Sequence, residues 1–210
     1  MKMNDFQIIN CYTKSHERVA LNLIKSLKVF YPDNYFTEMY ESRGYWIKNC
    51  LYKAEFIKEQ LLKYKKPVLW VDADSAIKKR LTVIEEFDST VDVGMYFLDK
   101  ITPTRVKKLA TTNTIYLNYN NNVLYFVDKW IEYNNYVYSN LINKRNDQDG
   151  MRVMLKQETF DIKIKHLPLS YAKVKNGVYK EGFYASEEFL STDPVIEQYQ
   201  VSHTLDKDNC

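Results

Sequence analysis

Lys66-Pro67-Val68-Leu69-Trp70-Val71-Asp72-Ala73-Asp74 is the stretch on which the reading of this sequence turns. Pro67 opens an unbroken apolar run, Val68 to Val71, which suits a central strand buried on both faces. The run leads straight into two aspartates. Residues two apart in extended chain point to the same side, with Cα atoms about 6–7 Å apart. Ligands of open α/β sheets bind beyond the carboxyl ends of the strands. Asp72 and Asp74 are therefore placed to converge on one divalent cation and on phosphates bound to it. Magnesium or manganese suits such hard oxygen donors and would neutralise a diphosphate leaving group. The plainer reading of an isolated D-x-D is a helix cap followed by a surface turn. The apolar strand running directly into the pair counts against it.

Working outward, Trp46 to Tyr64 has the clearest helical pattern in the chain. Ile47, Cys50, Leu51, Ala54, Ile57 and Leu61 form one stripe, and lysines fill the opposite face and the last turn, where the helix dipole favours them. Lys53 falls near the edge of the stripe, between core and solvent. Upstream, Phe6 to Cys11 reads as a strand, Tyr12-Thr13-Lys14-Ser15-His16 as a polar loop, and Glu17 to Phe30 as a helix ended by Pro32-Asp33-Asn34. Downstream, strands are expected at Val91 to Phe97 and Thr112 to Asn118, and helices at Val123 to Tyr133 and Asp147 to Gln157. Asp161 to Leu167 alternates as a half-exposed strand, and after Pro168 the chain is loop-rich with a short strand at Val195 to Val201. This order predicts one α/β domain over residues 1–205, with a mostly parallel central sheet flanked by helices and a loose tail at 206–210.

The 210 residues, 45% hydrophobic and 15% aromatic, are those of a folded chain with a substantial core. A formal charge of +3 is too small to argue for nucleic acid by bulk phosphate neutralisation, although a local basic patch is compatible with it. Cys11, Cys50 and Cys210 have no C-x-x-C spacing, so neither a disulfide framework nor a zinc site is indicated. No run reaches the roughly 18 apolar residues of a membrane span, and Met1 to Asp5 lacks the form of a signal peptide. A cytoplasmic protein is expected, in a host cytoplasm if it is viral. The Lys, Asn, Tyr and Ile bias fits the AT-rich genomes that phages and some bacteria share.

Several segments together resemble a known group. They are Arg43-Gly44-Tyr45-Trp46-Ile47-Lys48-Asn49, Lys53, Phe56-Ile57 and the Lys66 to Asp74 stretch. Thr112-Asn113-Thr114-Ile115-Tyr116 with Trp130, the Asp147-Gln148 pair, and Pro194 to Ser202 follow in order. The set is similar to the nucleotide-diphospho-sugar transferase group of GT-A glycosyltransferases. That resemblance implies a GT-A (Rossmann-like) fold and hexosyl or pentosyl transfer from a nucleoside-diphosphate sugar, UDP-linked by preference, to a hydroxyl acceptor. It implies that Asp74 chelates Mn2+ or Mg2+ and that Asp72 contacts ribose or donor sugar and supports the metal. Tyr12 and Thr13 would receive base and ribose, and Arg43, Asn49 and Lys53 would lie near the diphosphate or donor sugar. Asp147 and Gln148 would stand at the sugar end as the catalytic pair.

Two positions depart from the group. Asn113 stands where a small Gly is common, which alters the floor of the sugar pocket. Gln198 stands where a metal-binding His is usual, and His203, five residues on, is the candidate replacement, with Gln198 or water as alternatives. Bland readings stand beside these roles. Asp147 has the position of a helix N-cap, Arg43 that of a turn residue, and His16 and His166 those of ordinary loop and strand histidines. The acceptor is open among a glycan, a protein side chain and hydroxymethylated pyrimidines of phage DNA, for which aromatics among Tyr171 to Tyr184 are candidate stacking residues. A haloacid-dehalogenase-type phosphatase shares the strand-D-x-D pattern, but it prefers Thr or Val where this chain has Ala76. A catalytically inactive nucleotide-sugar-binding module is the other alternative.

Overall fold

The structure is a computed structural model that describes residues 5–102, 105–140, 146–175 and 191–199. His203, the 206–210 tail, the end of the 195–201 strand and most of the 171–184 aromatic segment lie outside the described residues. Strand β1 (Gln7–Tyr12) leads through a short 3-10 turn (Lys14–His16) into helix α1 (Glu17–Phe30). Edge strand β2 (Tyr35–Met39), helix α2 (Trp46–Tyr64) and strand β3 (Val68–Val71) follow. Next come β4 (Ser75–Ile77), a single turn α3 (Thr82–Glu85), and the long strands β5 (Val93–Thr102) and β6 (Arg105–Leu117). The chain continues through α4 (Asn121–Asn140), α5 (Asp147–Gln157), β7 (Ile164–His166), β8 (Lys173–Val174) and β9 (Ile196–Gln198).

Six strands form the main sheet in the order β2-β1-β3-β6-β5-β7, and β4-β9-β8 form a small second one. In the main sheet β2, β1 and β3 run parallel, as do β5 and β7, while β6 is antiparallel to both of its neighbours. The sheet is therefore mixed. The expected parallel character holds on either side of β6, and the β5–β6 hairpin supplies the one reversed strand.

All four residues of β3 are buried, as its unbroken apolar run requires. Strand alternation sends them to two cores. Val68 and Trp70 pack with Ile9 under α2, α4 and α5, whereas Leu69 and Val71 pack with Ile8 under α1. Helix α1 buries Ala20, Leu23 and Leu27 along one face. Helix α2 is turned further than its pattern implies. Lys53 and Gln60 are buried beside Phe56 and Ile57, and the Lys53 side chain is only 10% exposed. Among the described residues no helix is long and apolar enough to cross a membrane.

Two backbone details set the positions of the helices that flank the future site. Helix α2 ends with Lys65 in the left-handed region at φ 50°, donating its N–H to Leu61 O. Helices α4 and α5 meet at Gly150, where a Cβ would lie 2.1 Å from Asn134 Oδ1 and 3.1 Å from Asn134 Cα. Gly150→Ala is therefore expected to lower unfolding free energy by about 1–3 kcal/mol, as overpacking does, read from the urea midpoint. Lys65→Gly is expected to move the same midpoint the other way, by roughly 0.5–1 kcal/mol, because glycine takes a left-handed C-terminal position without the Cβ penalty.

Candidate active site

The carboxyl ends of β1 and β3 open into a cleft of about 440 Å³. From these strand ends Tyr12, Thr13, Asp72, Ala73 and Asp74 enter it. Helix α2 contributes Trp46, Asn49, Cys50 and Lys53, one face of its first two turns. Strand β6 presents Thr111, Thr112 and Asn113, the start of α5 presents Asp147, Gln148 and Arg152, and β9 presents Gln198.

The loop after β3 is tied on every side. Asn10 Nδ2 donates to Val71 O at 2.8 Å, and Asp72 N donates to Asn113 O at 2.9 Å. Trp70 Nε1 donates to Asp72 Oδ1 at 2.7 Å, so the strand's own indole orients the first aspartate. Tyr199 N donates to Asp74 O at 2.7 Å, and Ser75 pairs in register with Gln198. The second aspartate thus sits where the small sheet joins the large one.

Lys53 is the centre of the cluster. Its ammonium forms ion pairs with Asp72 Oδ1 at 2.8 Å and Asp147 Oδ2 at 2.9 Å and donates to Thr112 O at 3.0 Å. It also lies 5.3 Å from the centroid of the Trp70 ring. Burial works to discharge this amine, but the carboxylates of Asp147 and Asp72 more than offset it and hold the ammonium charged. Lys53 lines the cleft, where its ammonium pairs with the carboxylates of Asp72 and Asp147.

Asp147 is not the cap of its helix. Asn146 takes that place, its side chain accepting from the N–H groups of Gln148 and Asp149. Asp147, 3% exposed, is left to face Lys53, while its backbone carbonyl accepts from Trp130 Nε1 at 2.9 Å. Gln148 Oε1 accepts from Thr112 N at 3.4 Å. Asn113 Oδ1 is buried in the floor of the cleft with no hydrogen-bond partner among the described residues, so it is an acceptor suited to a ligand hydroxyl or N–H.

Burial pushes the Asp72 carboxyl up, Lys53 pulls against that, and Asp74 and Asp147 add their like charge. The group ends at about 6. Three carboxylates against one shared lysine form a site with an excess of negative charge, which a divalent cation relieves. Among the described residues no group of three His, Cys, Asp or Glu side chains is arranged to hold a metal ion together. The residues that could hold such a cation are Asp72 and Asp74, carboxylates of the kind that bind a hard cation keeping several waters. Gln198 lines the same cleft. Its Oε1 accepts from Ser75 Oγ at 2.5 Å and its Nε2 faces Thr114 Oγ1 at 3.4 Å.

Of the residues singled out in the sequence, Tyr12, Thr13, Asn49, Lys53, Asp72, Asp74, Asn113, Asp147 and Gln148 share this one cleft. Arg43 does not join them. Its guanidinium pairs with Glu55 at 2.8 Å and lies 3.8 Å from the Tyr52 ring centroid, on the outer side of α2. His16 lines the cleft, its ring lowered in pKa by burial against the opposing pull of Asp74. His166 stacks on Phe97 at 4.5 Å, away from the site. Arg152 went unread in the sequence, although it stands one helical turn beyond Gln148. Its Nε donates to Ala110 O at 3.0 Å.

A mixed sheet with aspartates at the end of its third strand, walled by α2 and α5, is the GT-A glycosyltransferase fold. Structure comparison shows the same. The chain matches a glycosyltransferase involved in glycosylation of the major capsid of PBCV-1, with TM-score 0.62 and 11% identity over 93% of this chain and 92% of that one. It also matches the glycosyltransferase GlyE of Streptococcus pneumoniae TIGR4, with TM-score 0.59 and 12% identity over 94% of this chain and 54% of that one. The galactosyltransferase LgtC, in complex with donor and acceptor sugar analogues, matches with TM-score 0.55 and 11% identity over 92% and 87%. Neither a protein-family model nor a curated protein matches the sequence. Identities this low establish a shared fold and leave activity to be argued from the site.

Removing the charge at Lys53 leaves two carboxylates facing each other in a buried wall. Lys53→Met is expected to cost about 3–5 kcal/mol, the range for breaking a buried ion pair from one side. Chemical denaturation of the purified variant measures it, and a loss below about 1 kcal/mol, the range of surface pairs, would mean the cluster is solvated.

Proposed function

We propose that the protein is a glycosyltransferase that moves a sugar from a nucleoside-diphosphate sugar, UDP-linked, to a hydroxyl acceptor. The observation that carries this reading is the meeting of Asp72, Asp74, Asn113 and Asp147 in one cleft at the strand ends of a GT-A fold. In this reading Tyr12 and Thr13 take the base and ribose, and the sugar lies between Asn113 and Asp147. Asn113 Oδ1 accepts a sugar hydroxyl, which satisfies its buried lone pairs.

Asp74 and Asp72 are the residues to hold Mn2+ or Mg2+, with His203 or water completing the shell. Both polar ends of Gln198 are engaged within the protein, which argues against it as a ligand. The bound ion would supply charge neutralisation at the diphosphate. The reaction breaks the bond from the anomeric carbon to the diphosphate oxygen and forms one to the acceptor oxygen. Asp147 is buried and paired to Lys53, so its part is to orient the donor sugar and to stabilise positive charge building at the anomeric carbon. The acceptor proton passes to the departing diphosphate oxygen. This course retains configuration and needs no carboxylate base, whereas an inverting course would use Asp147 as that base. The transferred sugar is a hexosyl or a pentosyl group.

Thermal unfolding with UDP or GDP, each with and without manganese, tests the reading. A nucleotide held at a hundred times its Kd adds about 2.7 kcal/mol by mass action, a rise in Tm of about 5–10 °C for a chain of this length. Asp74→Ala is expected to abolish the manganese-dependent part of the rise and to slow UDP-sugar hydrolysis roughly a hundredfold or more. If neither nucleotide moves Tm with manganese present, the reading fails.

A further inference from the structure

One lysine and one arginine line the cleft, Lys53 from α2 and Arg152 from α5. Lys53 is paired with Asp72 and Asp147. The surroundings of Arg152 are different. Its Nε donates to Ala110 O on β6 at 3.0 Å, and among the described residues no carboxylate forms an ion pair with its guanidinium.

The helix sets this position. Arg152 lies one turn beyond Gln148 on the same face of α5, and about 7.5 Å along the axis from Asp147 at 1.5 Å per residue. Helical side chains lean toward the N-terminus, so the guanidinium is carried back toward the Asp147 end. Met151 and Met154 are buried in the core on the other side and fix the rotation of the helix. The bond to Ala110 O then holds the guanidinium against β6, whose next residues, Thr111 and Thr112, also line the cleft.

A half-buried guanidinium is costly without counter-charge, because arginine does not discharge. Burial lowers its pKa from the usual arginine value, while Asp149 and Asp147 pull the other way. Asp147 already serves Lys53. With Nε engaged, the two terminal nitrogens form a planar fork that matches the paired oxygens of a carboxylate or a phosphate. We propose that Arg152 binds an anionic substituent, a carboxylate or a phosphate, carried by a substrate sugar, and so selects a charged sugar over its neutral counterpart. This rests on the glycosyltransferase reading above. In that reading the diphosphate is neutralised by the ion at Asp72 and Asp74, whereas Arg152 shares its helix with Asp147 and Gln148, the residues assigned to the sugar. A neutral hydroxyl would meet the N–H groups and leave the charge uncompensated; an anion meets both needs.

Matched pairs of ligands, titrated calorimetrically into the full chain, test this by the affinity ratio within each pair. In one arm, with manganese present, UDP-glucuronate and UDP-galacturonate are compared with UDP-glucose and UDP-galactose, which asks whether the charge sits on the donor. In the other, with UDP and manganese saturating, methyl glucuronide and glucose 6-phosphate are compared with methyl glucoside, which asks whether it sits on the acceptor. In one arm the anionic member is expected to bind roughly tenfold tighter or more, the strength of a charge-assisted bond. Arg152→Gln is expected to bring that ratio close to unity, and Arg152→Lys, which keeps the charge without the fork, to retain part of it. Loss of the brace to Ala110 alone would weaken both members of a pair alike and leave the ratio as it was. A ratio near unity in both arms, or one that survives in Arg152→Gln, overturns the proposal. Stabilisation of the wild-type chain by UDP and manganese alongside either result leaves the transferase reading standing and removes only the charged sugar.

Discussion

A charged amine in a protein interior persists only where carboxylates surround it closely enough to outweigh lost hydration. In this chain that condition joins four elements. Lys53 from α2 meets Asp72 from the end of β3, Asp147 from the first turn of α5 and the carbonyl of Thr112 on β6. Only α2 and β3 are consecutive in sequence, and each of the four is constrained in depth and rotation by the need to reach the same nitrogen. The rotation of α2 away from its simplest apolar stripe follows from it, because bringing Lys53 inward also turns Gln60 into the core and leaves Ile47 half-buried. The ion cluster and the helix register are one arrangement seen at two scales.

The antiparallel course of β6 serves the same end. A parallel strand beside β3 would deliver its loop to the cleft. The reversed strand instead lays its interior alongside the aspartates, so the Asn113 carbonyl takes the Asp72 N–H and Thr112 backs Lys53. The floor of the cleft is therefore ladder backbone, with little freedom to shift. That is the rigidity an electrostatic site requires.

Much of this was legible in the sequence because the strongest local signals lie where the fold is most regular. Helices at 17–30, 46–64 and 147–157 and the strand at 68–71 have the bounds their patterns give. Strand β2 was not, since Tyr35–Met39 is a half-exposed edge with no apolar run. Helix α4 continues past Tyr133, burying Asn134 against Gly150 and also burying Val137. The aspartates, Asn113 and Asp147 were readable as an ordered set. The pairing of Lys53 with two of them was not, because the stripe places it at a helix edge and only the tertiary fold decides which way an edge residue turns. Arg43, taken up with the segments that carry the resemblance, stands apart from the others, its guanidinium paired with Glu55.

The small sheet gives the cleft an uneven temperament. Strand β9 has three residues, β8 has two, and the bond from Ser75 to Gln198 closes 123 residues of chain. Short ladders that close long loops hold few bonds against a large entropy. The cleft thus has three walls cast into the main core and a fourth that works as a clasp. Asp74, whose carbonyl is held by Tyr199 N, lies on the clasp side. Of the two aspartates, Asp72 belongs to the body of the protein and Asp74 to its fastening. Loosening the fastening would break few ladder bonds and none of the contacts of the Lys53 cluster.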